Sequence, residues 1–397
     1  MMQNSLVQLG ILALSCGVPA CSAPLDEAPV ESKAEWLISG TTVPSVGDPA
    51  GYARSDGVSA IVYRNSSNRL KELSLSGAWG VGDLTAISGA PVMASQPSAY
   101  VRADNVNAVV YRSADNHIRE ISLAAGGWSA GDLSAIAGAP AAVGDPAAYS
   151  RTDSVSVVVY RTSSNHIEEI SLPVNGLTWS RGDLNAASGG AALAVSDPVG
   201  YARADSVNAV VYRSSDNHVR EISLAPGGAS WSAGDLSALT GAPSAAGKPH
   251  GYRRSDHVSA VVYRGTDGHV REISLASGGS WGVGDLTAIS AAPLASSDPI
   301  GYVRADGVNA VVYLSSDGHV REISLSPTTG IWSVGDISAL SRAPAAIIGL
   351  ANAYARADHV SSAIFKTSDG HVHEITLPVG GSTWGHADLT MVTGGVP

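Results

Sequence analysis

The chain of 397 residues contains only one Phe and only two Cys, at positions 16 and 21. Everything after position 21 therefore lacks a disulfide and must be stabilised by packing. Basic residues are also scarce, since 24 Lys and Arg stand against 35 Asp and Glu and give a net charge of −11. This balance argues against nucleic acid as a partner, which requires clustered basic residues, and against a surface that binds anionic lipids.

Long hydrophobic runs are missing too. The apolar stretch Leu6–Leu14 is too short to span a bilayer, and small residues follow it, so residues 1–23 resemble an export signal. Cys16 and Cys21 each end a sequence similar to a lipoprotein box, whereas the residues before Cys21 also fit an ordinary signal-peptidase site. We therefore expect a secreted protein or a cell-surface or outer-membrane lipoprotein, which contacts a membrane only through an N-terminal lipid. Residues 24–35 are predicted to form a tether.

The aromatic residues that are present form a repeat. Of the 22 Tyr, Trp and Phe, 21 fall into seven sets of three. The first Tyr of each set stands at Tyr52, Tyr100, Tyr149, Tyr201, Tyr252, Tyr302 and Tyr354. Every unit holds four short runs of β-branched and aromatic residues, separated by turn residues such as Asp267-Gly268. The sequence predicts an all-β, seven-bladed β-propeller over residues 36–397, with four antiparallel strands per blade and units starting near residues 50, 98, 147, 199, 250, 300 and 352.

A propeller must also close its ring, so that no sheet edge stays unpaired. Residues Trp36–Thr41 repeat the end of a unit before the first full unit begins, which makes them a candidate closing strand. The seventh unit has its own equivalent strand after Trp384, however. The N-terminal segment could displace that strand, flank it or be a vestige, and the sequence leaves these alternatives open.

Glutamate occupies one fixed position in every unit: Glu72, Glu120, Glu169, Glu221, Glu272, Glu322 and Glu374. If the preceding hairpin has a loop of two or four residues, alternation puts Glu120 on the face of Tyr111 and puts Arg112 on the opposite face. Each Glu could then approach an Arg of the neighbouring blade. These arginines are Arg64, Arg112, Arg161, Arg213 and Arg264, replaced by Leu314 and Lys366 in the last two units.

Two interpretations of this pattern remain open. The Glu and Arg could form ion pairs that only join blades. Alternatively, they could line a polar pocket in which Glu accepts hydrogen bonds from sugar hydroxyls, Arg donates them and an aromatic ring stacks on the sugar. The candidate aromatic residues are Trp128, Trp179, Trp231, Trp281, Trp332 and Trp384.

The other repeated polar residues are predicted to be structural. Arg102 precedes Asp104, and its counterparts in every unit are spaced in the same way, which indicates a local ion pair. His117 and its counterparts lie three residues before the Glu and so on the opposite face of a strand. His371 and His373 share a face, but we expect them to be solvated, and two ligands are too few to predict zinc. We expect no metal, no cofactor and no catalytic residues, since no hydrolase or phosphate-binding motif is present.

The segment Val261–Glu272, with the Trp281 strand behind it, resembles the fucose-specific β-propeller lectins of fungi and bacteria and is similar to seven-bladed bacterial lectins. In that family a Glu after a turn, an Arg from the adjoining strand and an aromatic residue from a neighbouring blade hold the sugar. Gly268 to Glu272 match the first of these elements. At the position of the family's arginine this chain has Ala60, Ala108, Ala209, Ala260 and Ala310, and the available Arg comes four residues later.

The sequence thus favours a multivalent carbohydrate-binding protein whose partners are glycans or glycoconjugates, with fucose as one candidate sugar. Blades two, four and five keep the fullest His, Arg and Glu set and are expected to bind best. The alternative is a protein-interaction or structural propeller that binds no sugar. A hydrolase acting on polysaccharide is a weaker hypothesis, because it needs a unique pair of acids and every acidic feature here is repeated.

Overall fold

The computed structural model describes residues 47–347, 349 and 351–394. The predicted export signal, the tether and the candidate closing strand at Trp36–Thr41 lie outside these residues. Within the described part of the chain, no helix is long and apolar enough to cross a membrane.

Seven antiparallel sheets of four strands confirm the seven-bladed propeller. Blade one contains β1 (Ala50–Ala53), β2 (Ser59–Arg64), β3 (Leu70–Ser76) and β4 (Ala78–Asp83), and blade two contains β5 (Ser98–Val101), β6 (Asn107–Arg112), β7 (Ile118–Ala124) and β8 (Gly127–Asp132). Blade three contains β9 (Ala142–Ser150), β10 (Val155–Thr162), β11 (Ile167–Pro173) and β12 (Ser180–Asp183), and blade four contains β13 (Val199–Ala202), β14 (Asn208–Arg213), β15 (Val219–Leu224) and β16 (Trp231–Asp235). Blade five contains β17 (His250–Arg253), β18 (Ser259–Arg264), β19 (Val270–Leu275) and β20 (Gly282–Asp285), and blade six contains β21 (Ile300–Val303), β22 (Asn309–Leu314), β23 (Val320–Leu325) and β24 (Trp332–Asp336). Blade seven contains β25 (Asn352–Ala355), β26 (Val360–Lys366), β27 (Val372–Pro378) and β28 (Gly385–Asp388).

The core lies between the blades. The second strand of blade two is buried along both faces, and its side chains alternate between two neighbours. Val109 and Tyr111 pack against blade one, whereas Ala108 and Val110 pack against blade three. This explains why the second strands are continuous apolar runs instead of alternating ones, because each face of a blade is covered by another sheet.

The hairpin between the second and third strands has a three-residue loop. In blade two, the Ser113 N–H donates to the His117 carbonyl (3.0 Å), and Asn116 adopts a left-handed conformation with φ of 64°. Such loops contain one residue in the left-handed conformation. Compared with a loop of two or four residues, a loop of three residues puts each side chain of the following strand on the opposite face of the sheet. Glu120 therefore pairs with Val110 and shares a face with Arg112. The predicted placement of Glu120 on the face of Tyr111 was wrong for this reason.

A one-turn helix follows the fourth strand of each blade: α1 (Leu84–Ser88), α2 (Leu133–Ala137), α3 (Leu184–Ala187), α4 (Leu236–Thr240), α5 (Leu286–Ser290), α6 (Ile337–Ser341) and α7 (Leu389–Val392). The aspartate that directly precedes each helix is its N-cap. The Asp132 carboxylate, for example, accepts a hydrogen bond from the Ala135 N–H at 2.9 Å. This aspartate thus fixes the start of the helix by accepting from a backbone N–H that has no partner within the helix.

The ring closes between blades seven and one by packing. Ile61, Tyr63 and Leu73 of blade one form one apolar cluster with Tyr354 and other residues of blade seven. The Tyr354 ring lies directly against Gly51, where an added Cβ would come within 2.2 Å of it. All seven sheets are built from four consecutive strands, so none of them borrows a strand from the other end of the described chain.

Candidate functional site

Each blade carries a buried ion pair between the repeated Glu and an Arg at the end of its own first strand. In blade two, Arg102 Nη1 donates to Glu120 Oε1 at 3.1 Å. The same pair recurs in all seven blades with N–O distances of 2.8 to 3.5 Å. The seven arginines are Arg54, Arg102, Arg151, Arg203, Arg254, Arg304 and Arg356. The Glu side chains are 1–6% exposed, so the Arg closes each of them off from solvent.

The same Arg also reaches across the seam to the next blade. The Arg102 guanidinium lies over the indole of Trp179 in blade three, 5.4 Å from the ring centroid. Equivalent contacts of 5.0 to 5.7 Å occur at all seven seams, and the last of them joins Arg356 to Trp79. Each seam therefore brings together a Glu and an Arg of one blade and a Trp of the next.

An aspartate completes this group at the solvent edge. Arg102 Nε and Nη2 donate to the two carboxylate oxygens of Asp104 at 3.1 and 2.6 Å, as the sequence spacing predicted. Together with the bond to Glu120, these contacts use three of the five guanidinium N–H groups. Among the described residues, no hydrogen bond takes up the other two. The Asp104 side chain is 33% exposed, which leaves its carboxylate accessible to a ligand hydroxyl.

Burial governs the electrostatics of the glutamates. Desolvation raises the pKa of all seven carboxyl groups, and the neighbouring Arg only partly offsets it. Burial raises the pKa of Glu72 to about 7. In four blades the Glu also accepts from the hydroxyl of the first-strand Tyr, as Glu120 does from Tyr100 at 3.2 Å. These carboxylates thus act mainly as buried anchors for the Arg.

The arginines expected at the site lie elsewhere. Arg112 donates to the carbonyl of Ala94, in the segment before β5, and to that of Gly144, near the start of β9 (2.8 and 3.0 Å). Arg161 lies 3.5 Å from Asp197 of the next blade, and Arg264 lies 3.4 Å from Asp298. Arg161 and Arg264 thus do form ion pairs with the neighbouring blade, but their partners are aspartates and not the repeated glutamates. The pairing of Arg64, Arg112, Arg161, Arg213 and Arg264 with the glutamates was a wrong prediction, since their side chains turn toward the loops.

The sequence did carry a signal for the correct series. Arg54 and its counterparts are present in all seven units, whereas the Arg64 series is interrupted by Leu314 and Lys366. A contact that recurs at every seam requires the uninterrupted series. Trp79, which was not among the candidate aromatic residues, belongs to the set because it meets Arg356 where the ring closes. The expected ranking of blades loses its basis, since it depended on the interrupted series.

His117 and its counterparts do not contact the glutamates, which agrees with the prediction that they lie on the opposite face of the strand. His117 Nδ1 lies 2.9 Å from Asp132, the N-cap of α2. His371 and His373 differ from the expectation of solvated side chains, because they are only 4% and 5% exposed. Burial lowers the pKa of His373, and the nearby His386 acts in the same direction.

A cavity of about 270 Å³ lies where the first strands of all seven blades converge. Its lining includes Asp48, Asp145, Lys248 and His250. Burial lowers the pKa of His250 to about 4. None of the Glu, Arg and Trp residues of the seams lines this cavity.

No protein-family model matches the chain, and no curated protein matches it in sequence. Solved structures do resemble it. The BP39L lectin from Burkholderia pseudomallei aligns with a TM-score of 0.68 at 13% identity, covering 87% of this chain and 98% of the lectin. The Aleuria aurantia lectin, in complex with Fucα1-6GlcNAc, aligns with a TM-score of 0.48 at 15% identity, covering 88% of this chain and 96% of the lectin. Of these two, the first supports the propeller fold.

Proposed function

We propose that the protein is a multivalent carbohydrate-binding protein, a lectin, whose sites are the seven seams between blades. The observation that carries the proposal is the group of Arg, Asp and Trp that recurs at every seam. Such a group suits a sugar. The carboxylate and the planar guanidinium can form hydrogen bonds with sugar hydroxyls, and the C–H face of the sugar can pack on the aromatic ring. The fold similarity to the BP39L lectin agrees with this function, and the resemblance to fucose-specific lectins makes fucose the first sugar to try.

The geometry assigns different tasks to the residues of a seam. In blade two, the exposed carboxylate of Asp104 would accept from sugar hydroxyls, and the two remaining N–H groups of Arg102 would donate to them. Trp179 is only 9% exposed and would hold the Arg, whereas the half-buried Trp281 at the seam of blades four and five would also offer part of its indole to the sugar. Glu120, at 4% exposure, would position the Arg from its buried side and would not contact the sugar itself. Each site alone would be weak, and seven of them on one chain would give avidity on a surface that displays many copies of the glycan.

The proposal is tested by a glycan array with matched variants. Asp104→Asn, Asp205→Asn and Asp256→Asn, combined in one protein, change the seams of blades two, four and five. We expect array binding to fall several-fold, because avidity depends on the number of intact sites. The control combines Asp115→Asn, Asp216→Asn and Asp267→Asn, which alter exposed aspartates of the same three blades at the opposite end of the second strand and should leave binding unchanged. Equal binding by both triple variants would contradict the proposal.

Two observations favour a second function, that of a propeller that binds proteins or serves as a scaffold. The Glu carboxylates are already paired with Arg, and the described cavity lies on the propeller axis instead of at the seams. This alternative predicts no specific glycan on the array. It also predicts that Glu120→Gln lowers the free energy of unfolding without any effect on a ligand.

A further inference from the structure

Blade seven differs from the other blades at one cluster on its third and fourth strands. In blade four, Arg220 lies between two carboxylates: its Nη1 is 2.7 Å from Asp235, and its Nη2 pairs with Asp216. In blade seven, His373 stands at the position of Arg220, as its cross-strand partners Phe365 and Asp388 show. The carboxylates Asp369 and Asp388 remain, but the cation that joins their counterparts is gone.

His373 takes the place of that cation, while His371 keeps the contacts that His218 makes in blade four. His371 Nδ1 lies 2.7 Å from Asp388 Oδ2 and 4.0 Å from Asp369 Oδ2. His373 Nε2 lies 3.9 Å from the same Asp388 oxygen. One nitrogen or oxygen atom from each of Asp369, His371 and His373 falls within 4.8 Å of the others. These three side chains thus converge on one small volume, and Asp388 lies beside them through its 2.7 Å contact with His371.

Hydrogen bonds to other groups leave some nitrogen and oxygen atoms of these side chains free. Asp388 Oδ1 is used by the helix cap, since it accepts from the Met391 N–H, and Asp369 Oδ1 accepts from the Thr367 hydroxyl. Asp369 Oδ2 has no hydrogen-bond partner among the described residues and lies 4.0 Å from His371 Nδ1, whereas Asp388 Oδ2 is hydrogen-bonded to that nitrogen at 2.7 Å. That histidine is 4% exposed, and its Nε2 has no hydrogen-bond partner. The side chains of the blade alone do not satisfy this buried imidazole, although buried polar atoms are usually paired.

His386 orients His373. Its Nε2 lies 2.9 Å from His373 Nδ1, a distance at which one ring must donate and the other accept. When His373 Nδ1–H donates to His386, the lone pair of His373 Nε2 faces the carboxylates. The Thr367 oxygen is 3.0 Å from that nitrogen, but its hydrogen is already directed at Asp369. A metal-bound histidine typically donates its second N–H to a neighbouring acceptor in this way.

We propose that blade seven contains a binding site for a divalent transition-metal ion, best suited to Zn²⁺, formed by His371, His373 and Asp369, with Asp388 and His386 orienting the two imidazoles. Two imidazoles and one carboxylate, completed by a water molecule, are a donor set that Zn²⁺ accepts in tetrahedral geometry. The ion replaces the positive charge that Arg220 supplies in blade four. Asp369 is 53% exposed, so the site opens to solvent on that side. This inference is independent of the proposed sugar binding.

The test uses the untagged full chain, stripped with EDTA and titrated calorimetrically with ZnCl₂. We expect one Zn²⁺ per chain and an increase in Tm at saturation. His373→Arg restores the arrangement of blade four and should abolish this binding while the protein stays folded by circular dichroism. His386→Ala should weaken binding by about 10- to 100-fold, as the loss of an orienting partner does.

Blade four supplies the matched control, because Asp216, His218 and Asp235 also cluster there but surround Arg220. His218→Ala should leave the stoichiometry and the affinity unchanged. Absence of Zn²⁺ binding to the parent protein would overturn the proposal. Binding that survives in His373→Arg would also overturn it, since the ion would then lie elsewhere.

Discussion

The guanidinium of Arg356 in blade seven lies 5.5 Å from the centroid of the Trp79 ring in blade one. The first and last blades are thus joined by the same contact that joins every other pair. The Ala357 N–H also donates to Ser59 Oγ at 3.1 Å across this seam. Ring closure in the described residues is therefore one more copy of the repeated interface, built by residues almost 300 positions apart in sequence.

Closure by this contact predicts that the seventh seam is as important to stability as the others. Trp79→Ala removes a partly buried indole and its cation–π partner, and we expect it to lower the free energy of unfolding by about 2–3 kcal/mol. Trp281→Ala, at the seam between blades four and five, should have an effect of similar size. Urea denaturation followed by circular dichroism measures both. A loss below about 0.5 kcal/mol for Trp79→Ala alone would show that the ring is held closed by something else.

The reassignment of the arginines leads to a prediction about binding. Arg102→Lys, Arg203→Lys and Arg254→Lys in one protein remove the planar donor from three of the seven seams. Lysine lacks the fork that bridges Asp and Glu, so sugar binding at those seams should be lost. Calorimetric titration with a sugar identified on the array should then give four sites per chain, which is seven minus three.

The matched control for this prediction is Arg112→Lys, Arg213→Lys and Arg264→Lys, which changes the series that the sequence favoured in the same three blades. Those side chains contact loops, so stability should fall while seven sites remain. Loss of sites in the control and not in the first variant would restore the sequence-based assignment.

The buried glutamates predict a dependence of stability on pH. The pKa of Glu72 rises from 4.5 to about 7 on folding, because burial disfavours its charge. The folded state then binds more protons than the unfolded state between these values, so Glu72 makes stability fall as the pH rises from about 4.5 to about 7. Glu72→Gln removes this titration. Its stability relative to the parent should rise across that window, by up to about 3 kcal/mol, in urea denaturation at pH 4.5 and pH 8. A difference that does not change with pH would contradict the assignment.

The helix caps predict a contrast between two aspartates of blade two. Asp132 caps α2 and pairs with Arg119 and His117, so Asp132→Ala should lower the free energy of unfolding by about 1–2 kcal/mol. Asp115 is half exposed and pairs with the same Arg119. Asp115→Ala should therefore lower the free energy of unfolding by less than about 1 kcal/mol. Thermal denaturation of the two variants measures this difference. Equal losses would mean that the cap contributes nothing beyond the ion pair.

The architecture could be predicted from the sequence because it depends on periodic features. Seven sets of Tyr, Tyr or Phe, and Trp, with turn residues between β-branched runs, determine the number of blades and strands. The side-chain pairings could not be predicted with the same certainty. They depend on whether one hairpin loop has an odd or an even number of residues. The loop that ends at the left-handed Asn116 has three residues, and this odd number reverses the face that Glu120 occupies. The correct partner, Arg102, lies 18 residues before Glu120 in another strand, so only the register of the folded sheet brings the two together.

The short helices and the blade-seven cluster were missed for a different reason. One-turn helices such as α2 are too short for a periodic pattern, and their only signal is the capping Asp132. His386 lies 13 residues after His373 in sequence, and the strand pairing alone brings the two rings together. Substitutions that break a repeat, such as His373 for Arg220, are the signal that could have indicated this cluster.

The central claim is that sugars bind at the seams between blades. A crystal structure of the protein with the best-binding glycan from the array tests it most directly. We predict density for a sugar ring against Asp205, Arg203 and Trp281 and at equivalent seams around the propeller. A sugar found only in the axial cavity beside Asp145 and Lys248, with the seams free of ligand, would contradict the claim.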